Sequence, residues 1–310
     1  MVSVRSKVQN VNVLDNHLPE LLTFGSLVRD VFISLTVVIV LHKRGGLPMN
    51  IPDILALDFD GVLCDGMREY FEASRRTYMR VWPDEQAPSE ELFPAFRALR
   101  PVIMTGWEMP VLLRALVQGY PPAAMLQNWE AVRDALVHAE TPQGKALGHT
   151  LTHTLDEVRR AWIAATADDW LARNVPYCPL DDVRRLLAEP ECAVLVTTKE
   201  GEFARQILDH WGVHLADIQG KEAGTHKCDN LRALIAQYTA THGRRPVLWF
   251  VEDRLETLQH VTTHADLDDV GLFLAAWGYN TPEIRASVQD HGRIRLLGLE
   301  QFHGGLTTWR

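Results

Sequence analysis

From residue 51 onward, short unbroken apolar runs alternate with longer stretches of helical periodicity. The runs ILAL (54–57), AVLVTT (193–198), ADIQG (216–220), VLWFVED (247–253) and VGLFLAAWG (270–278) are too short for core helices and too uniformly apolar for half-exposed strands. Such runs predict strands buried on both faces. Between the later runs lie EFARQILDHWG (202–212), CDNLRALIAQY (228–238) and a stretch through Thr257, all expected to be helical. Strands alternating with helices predict a parallel sheet covered on both sides. The stretch between the first two strands is different: REYFEASRRTYMRVW (68–82), MPVLLRALVQGY (109–120), NWEAVRDALVHA (128–139) and TLDEVRRAWIAATADDWLAR (154–173) are all helical in pattern. In the last of these, Leu155, Val158, Trp162, Ile163 and Trp170 recur at the three-and-four spacing of one apolar helix face. The expected fold class is therefore α/β. A Rossmann-like parallel sheet with helices on both faces, built from residues 51–66 and 180–310, is interrupted by an α-helical insertion over 67–179. No internal repeat is visible.

Residues 1–50 are of another kind and are expected to be an N-terminal extension, β-rich or poorly ordered. Its apolar run VFISLTVVIVL (31–41) spans 11 residues between Arg29-Asp30 and His42-Lys43-Arg44, whereas a spanning helix needs about 20. Asp15, Glu20 and Asp30 precede it, which does not suit a signal peptide. Met49 gives a natural lead into the first strand, so the biological product is expected to begin there; N-terminal mass spectrometry of the native protein tests this, and a peptide from residues 10–40 would refute it.

Composition narrows the chemistry. The 310-residue chain is 46% hydrophobic and 23% charged, ordinary for a folded soluble protein. Its formal charge of −9, with no basic stripe, argues against nucleic-acid binding. The four cysteines, Cys64, Cys178, Cys192 and Cys228, lie far apart without CxxC pairing, which suits free thiols in a reducing cytoplasm. An acidic protein that acts on an anion must concentrate positive charge locally, by a lysine, a metal ion or backbone amides.

The polar residues cluster where such a site belongs. In open parallel sheets, ligands bind beyond the carboxyl ends of the strands. Here LALD ends at Asp58, with Asp60 two residues on; VLVTT ends at Thr197 and Thr198; LWFVED ends at Glu252 and Asp253. An Asp at one strand end is as readily a helix cap, but three such ends on one sheet edge indicate a site. Several carboxylates together repel one another unless a hard cation sits between them. Magnesium is the natural candidate, with oxygens from Asp58, Asp253 and Glu252, and it suits phosphoryl chemistry. One carboxylate can attack phosphorus while a second handles protons; residues i and i+2 of an extended chain point the same way, so Asp58 and Asp60 can share a pocket.

DFDGVLCD (58–65) resembles the first motif of the haloacid dehalogenase-like (HAD) hydrolase superfamily. Thr197, followed by Thr198-Lys199, is similar to its second motif; Lys227, before a helix, to its third; and FVEDRLE (250–256) to its fourth. The likeness spans roughly residues 51–280, and the helical insertion sits where members with a helical cap of the first type (C1) carry theirs, as in the phosphoglycolate phosphatase-like branch. The resemblance implies that Asp58 is the nucleophile and a magnesium ligand. Asp60 is implied as general acid and then base, with its backbone carbonyl on the metal. Thr197, Thr198, Gly61 and Lys227 are implied to hold the phosphoryl oxygens, and Asp253 with Glu252 to complete the Mg²⁺ site. The second acid, Asp60, favours phosphate esters over haloacids, because only an ester's leaving oxygen needs a proton.

Two departures qualify the likeness. Many relatives carry Gly-Asp in the fourth motif with another acid four residues later; here Glu252-Asp253 is followed by Thr257, with Glu256 one residue earlier. The adjacent acids are expected to supply the ligands, with Glu256 a solvated helix residue. Lys199 and Lys221 also lie near strand ends, but the helix after Lys227, with Asp229 as its expected cap, favours Lys227. His226 is expected to be structural. In the insertion, Thr105 and Glu108 of TGWE match a helix-starting capping box with Trp107 packing; a substrate loop is the other reading. Trp129, Trp162 and Trp170 are expected in helix-face cores, and Asp65 as a cap for the helix that enters the insertion. The leading expectation is a cytoplasmic, Mg²⁺-dependent phosphatase for a small phosphorylated metabolite, with no nucleic-acid or membrane partner. The alternatives are a phosphomutase or phosphonate-cleaving relative, the latter weakened by a single cap lysine, Lys145, or a non-catalytic binding protein with a weakened metal site.

Overall fold

The computed structural model describes residues 51–138, 145–215, 217–224 and 226–309. The expectations for residues 1–50, their disorder, membrane contact and the start at Met49, lie outside the described residues. In chain order the elements are β1 (Ile54–Leu57), β2 (Cys64–Asp65), α1 (Met67–Val81), α2 (Phe93–Ala98), α3 (Glu108–Val117), α4 (Pro122–Gln127) and α5 (Trp129–His138). Next come α6 (Lys145–Leu171), β3 (Val175–Pro176), α7 (Leu180–Leu187), β4 (Cys192–Val196), α8 (Gly201–His210), β5 (Asp217–Gln219) and α9 (Lys227–His242). The chain closes with β6 (Leu248–Glu252), α10 (Leu255–Thr262), β7 (Gly271–Ala275), α11 (Pro282–Val288), β8 (Ile294–Leu297) and α12 (Leu299–His303).

Six strands form one parallel sheet in the order β5-β4-β1-β6-β7-β8. Alternate residues of each strand go to opposite faces, and the two layers of core follow that parity. Leu55, Leu57, Leu195, Val251 and Phe273 pack on one face with Phe203, Ile207 and Trp211. Ile54, Ala56, Val194, Val196, Phe250 and Leu272 pack on the other with Leu231, Leu234, Ile235 and Tyr238 of α9. Because both faces are covered, the strands carry no polar alternation, and that is why they read as unbroken apolar runs.

The helices between β2 and β3 enclose a third cluster that includes Met67, Phe71, Tyr78, Phe96, Leu112 and Leu151. Trp129 belongs to it, whereas Trp162 and Trp170, further along α6, pack in the cluster beneath the sheet. Helix α6 therefore runs from one core into the other. Two polar straps repeat that link across the surface: Lys221 Nζ reaches Asp156 Oδ2 at 2.7 Å, and Arg160 Nη2 donates to both oxygens of Glu200 at 2.9 and 2.8 Å.

Two elements had no expectation behind them, and one expectation changes. The strand β8 was not anticipated, because RIRL has a charged residue at alternate positions where the sheet reaches its edge: Arg295 is exposed while Ile294 is buried. Helix α7 opens at Leu180, ahead of β4, and buries only Val183 and Leu186. Asp229 is not the cap of α9; it lies within the first turn and accepts from Arg232 Nη1 at 2.9 Å, with His226 at the cap position. Asp65 does receive the Met67 N–H, at 3.1 Å, and also an Arg97 contact at 2.9 Å. No helix among the described residues is long and apolar enough to cross a membrane.

Candidate active site

Sheet register assembles the site. Leu57 pairs with Val251 on β6, so the next residues, Asp58 and Glu252, lie level on neighbouring strands. Both continue the parity of the face that α9 covers, where Ala56 and Phe250 point. Lys227 is the first residue of α9 and meets them there: its Nζ lies 2.8 Å from Asp58 Oδ2 and donates to Glu252 Oε2 at 2.5 Å. Asp253, one residue on, approaches from the turn after β6. Asp58, Glu252 and Asp253 are all buried, and each offers an oxygen within 4.8 Å of the others.

Electrostatics makes this an unbalanced cluster. Burial, with only partial relief from Lys227, holds the Glu252 carboxyl well above the usual carboxylate range. Burial and the neighbouring Asp58 charge push Asp253 up to about 6. Lys227 is pushed the other way from a buried amine: desolvation opposes its charge, but Asp58 and Glu252 more than offset that and raise it. Three buried carboxyls share one ammonium in direct contact, so burial and mutual repulsion oppose their full ionisation, and all three supply hard oxygen donors. The donor set therefore fits a magnesium-like cation, which takes carboxylate oxygens and keeps open positions for waters or phosphate oxygens.

The turn after Asp58 is held tightly. Gly61 has φ +87°, and a Cβ there would lie 2.3 Å from Asp253 Oδ2. Its N–H donates to Cys64 O at 2.9 Å. The missing side chain makes room for Asp253, and the amide is engaged in the turn. A Cβ on Gly278 would likewise meet Asp253 Cβ at 2.3 Å and Gly61 O at 2.6 Å. Asp253 is fixed further by the Tyr279 N–H on Oδ2, at 2.8 Å, and by Asn280 Nδ2 on its backbone carbonyl, at 2.9 Å. Gly61→Ala should therefore cost about 1–2 kcal/mol for the left-handed backbone and also displace Asp253. The check is a lowered Tm together with a weaker response of Tm to added Mg²⁺ than in the wild type; an unchanged Mg²⁺ response would mean that Asp253 is not displaced.

Asp60 faces a different partner. Lys199 Nζ lies 3.2 and 3.3 Å from its two oxygens, and the Lys199 N–H donates to Thr197 Oγ1 at 3.2 Å. Thr197 is buried at the end of β4, while Thr198 is exposed. Lys199, set aside in favour of Lys227 in the sequence, thus shares the site with it. Lys221 instead serves the Asp156 strap. Glu256 is exposed, and His226 is exposed at the start of α9.

Several residues of the site have no motif. The Tyr70 ring lies 4.9 Å from Lys199 Nζ; burial first, then the Asp60 charge, raises its phenol well above its ordinary value, and a hydrogen bond to Asp60 adds to this. Tyr279 OH accepts from the Gly66 N–H at 3.0 Å. From the insertion, the Arg100 guanidinium lies 4.6 Å from the Tyr279 ring and 5.6 Å from that of Tyr70. Although burial opposes its charge, Tyr70 and Asp253 raise it. Its Nε is buried without a hydrogen-bond partner. The sequence carried one hint, that Gly278-Tyr279-Asn280 follow β7 at the same sheet edge as Asp58; Arg100 and Tyr70 carried none. The TGWE segment does not form the expected capping box, since α3 begins at Glu108 with Trp107 at the cap position and no side-chain cap bond; Glu108 is instead buried and accepts from Thr105 Oγ1 (3.2 Å), Met104 N–H (3.1 Å) and Trp129 Nε1 (2.9 Å).

No protein-family model matches the chain, and no curated protein is similar to it in sequence. Solved structures are similar in fold. A candidate phosphoglycolate phosphatase from Lactobacillus delbrueckii subsp. bulgaricus superposes with TM-score 0.50 at 15% identity, over 81% of this chain and 96% of that one. A predicted phosphoglycolate phosphatase from Haemophilus somnus 129PT does so with TM-score 0.50 at 13% identity, over 81% and 95%. At such identities the likeness defines a class of fold: the chain has a HAD-like α/β core with helical segments inserted after its first strand.

Proposed function

We propose that the protein is a HAD-type phosphatase that hydrolyses a small phosphorylated metabolite through an aspartyl-phosphate on Asp58. The observation that carries this reading is the meeting of Asp58, Glu252 and Asp253 with Lys227 at the carboxyl edge of the sheet, while Asp60 stands beside Lys199. The names of the two similar structures support phosphoglycolate-like esters as the first substrates to try.

In this reading, Asp58, Glu252, Asp253 and the Asp60 backbone carbonyl would hold Mg²⁺, which when bound neutralises phosphoryl charge and the carboxylate cluster. Lys227 keeps Asp58 oriented by its 2.8 Å contact. An Asp58 oxygen attacks phosphorus, and the bond to the ester oxygen breaks. The phosphoryl group draws the Lys199 ammonium from Asp60; as the pair parts, Asp60 takes up a proton from solvent and gives it to the departing alkoxide. Asp60 then takes a proton from water as that water attacks phosphorus, the Asp58 carboxylate leaves, and inorganic phosphate is formed. Thr197 and Thr198 are the candidates for further phosphoryl contacts, and Arg100, with an unpaired Nε, is suited to an anionic oxygen. Tyr70 and the Phe59 ring flank Lys199, and the Arg254 Nη1 contact to Ile103 O at 2.6 Å ties the fourth-motif loop to the insertion. These contacts let the insertion exclude water from the site.

The test is release of phosphate from a panel of small phosphate esters with Mg²⁺. The wild type should turn over at least one ester and lose turnover on chelation of the metal; no activity on any ester would overturn the reading. Asp60→Asn should lower kcat by about 10²–10⁴-fold, the usual worth of general acid–base catalysis. Retention of full kcat in that variant would remove Asp60 from the mechanism.

A further inference from the structure

A second cluster of ligating groups lies away from the carboxylates. His260 lies in the last turn of α10 and His264 two residues beyond its end, and their rings meet edge to face with centroids 4.9 Å apart. Cys228, buried in the first turn of α9, completes the group: the Cys228 Sγ and a ring nitrogen from each histidine all lie within 4.8 Å of one another. One thiol and two imidazoles form a donor set for zinc and its late first-row neighbours, and a poor one for magnesium. We propose that Cys228, His260 and His264 form a binding site for zinc or a similar borderline divalent cation, distinct from the carboxylate cluster.

The geometry is close to what such an ion requires. Bond lengths of about 2.0–2.1 Å to nitrogen and 2.3 Å to sulfur place tetrahedral ligand atoms roughly 3.3–3.6 Å apart. His260 is exposed and His264 half-buried, so rotation of the imidazoles can close the remaining distance, while Cys228 is fixed by its packing. Burial holds the Cys228 thiol above its ordinary value, so the thiolate forms when a cation displaces its proton. Three protein ligands leave a fourth position for water.

The place of the site gives it a consequence. Cys228 directly follows Lys227, and α10 begins two residues after Asp253. A cation bound there would pin the start of the helix that carries Lys227 to the helix that follows the fourth motif. Its occupancy would thus stabilise the edge on which the candidate active site is built.

The test uses the full chain, stripped of metal and reduced with a phosphine, and titrated with Co²⁺. The expected result is a near-ultraviolet thiolate-to-cobalt charge-transfer band with tetrahedral visible bands, saturating at equimolar metal. Zinc should displace the cobalt, whereas excess Mg²⁺ and the Asp58→Asn substitution should leave the spectrum unchanged. Cys228→Ser should abolish the charge-transfer band. His260→Ala should weaken zinc binding by at least the roughly 10–100-fold that follows loss of a residue which merely orients a ligand. No band in the wild type, or a band that survives in Cys228→Ser, overturns the proposal. If Cys228→Ser fails to fold, unchanged zinc affinity in His260→Ala and in His264→Ala overturns it instead. None of these readouts depends on ester hydrolysis, so failure of this site and failure of the phosphatase reading are separable.

Discussion

Asp58→Asn is expected to lower phosphate ester hydrolysis by roughly 10⁶-fold or more, the scale on which removal of a covalent nucleophile acts, while leaving the metal-free fold at least as stable as the wild type. The two effects have one origin. Asp58 is held within 4.8 Å of Glu252 and Asp253, a crowding that the proposed chemistry would require and that works against the metal-free fold. Asp58 is among the causes that raise both neighbours, so neutralising it removes repulsion while Lys227 keeps Glu252 as a partner. Stability given up at a functional site in this way returns when function is deleted. The measurement is thermal unfolding of both proteins in EDTA and again with Mg²⁺, beside initial rates. Wild-type Tm should rise with Mg²⁺, and the variant should start no lower and rise less. A variant that hydrolyses esters at the wild-type rate would show that attack does not pass through Asp58. A Tm several degrees below wild type in EDTA would show that Lys227 needs Asp58 more than its neighbours oppose it.

How much of this was legible beforehand follows from what each residue must satisfy. Central strands β1, β4, β6 and β7 are buried on both faces, so every position except Glu252 at the end of β6 is apolar and the run shows in any window. The edge strand β8 answers to only one face, and Arg295 between Ile294 and Leu296 hides it. The strand-end acids were visible because a carboxylate at the end of a buried strand contradicts its surroundings. Lys227 was readable from the helix it opens. Lys199 was in view, but its contact to Asp60 depends on how the turn after β4 folds back across 139 positions, and nothing local encodes that. Tyr70, Arg100 and Tyr279 come from an insertion helix, a cap turn and the turn after β7, and each has an ordinary local pattern. Gly61 stood out as a position without a side chain, but the close approach of Asp253 that demands this could not be read locally.

The second large effect lies in the insertion, at a pair the motifs do not touch. Glu69 is fully buried in α1 and receives Arg159 Nε at 2.7 Å, Arg159 Nη2 at 3.0 Å and Trp170 Nε1 at 3.1 Å. Glu69→Ala should destabilise the protein by about 3–5 kcal/mol, because it leaves a buried guanidinium without its carboxylate. For a folded unit of this size that corresponds to a fall in Tm of roughly 10 °C. Replacing both partners with apolar residues, Glu69→Leu with Arg159→Met, should recover most of that loss, since a buried ion pair is often matched by well-packed hydrophobic groups. Burial pushes the Glu69 carboxyl up, but the Arg159 guanidinium overrides it and the net shift is downward from 4.5. A carboxylate held low in the folded state contributes its full stability above its unfolded value and loses it as pH falls through the folded one. The gap between wild type and Glu69→Ala should therefore be constant near neutrality and narrow only below about pH 4.5. The apolar double variant separates packing from positioning. Arg159 lies 5.7 Å from the ring of Tyr70, the residue whose hydroxyl serves Asp60. If the pair also sets that ring, the double variant will keep its Tm and lose kcat; if it does not, both will be retained.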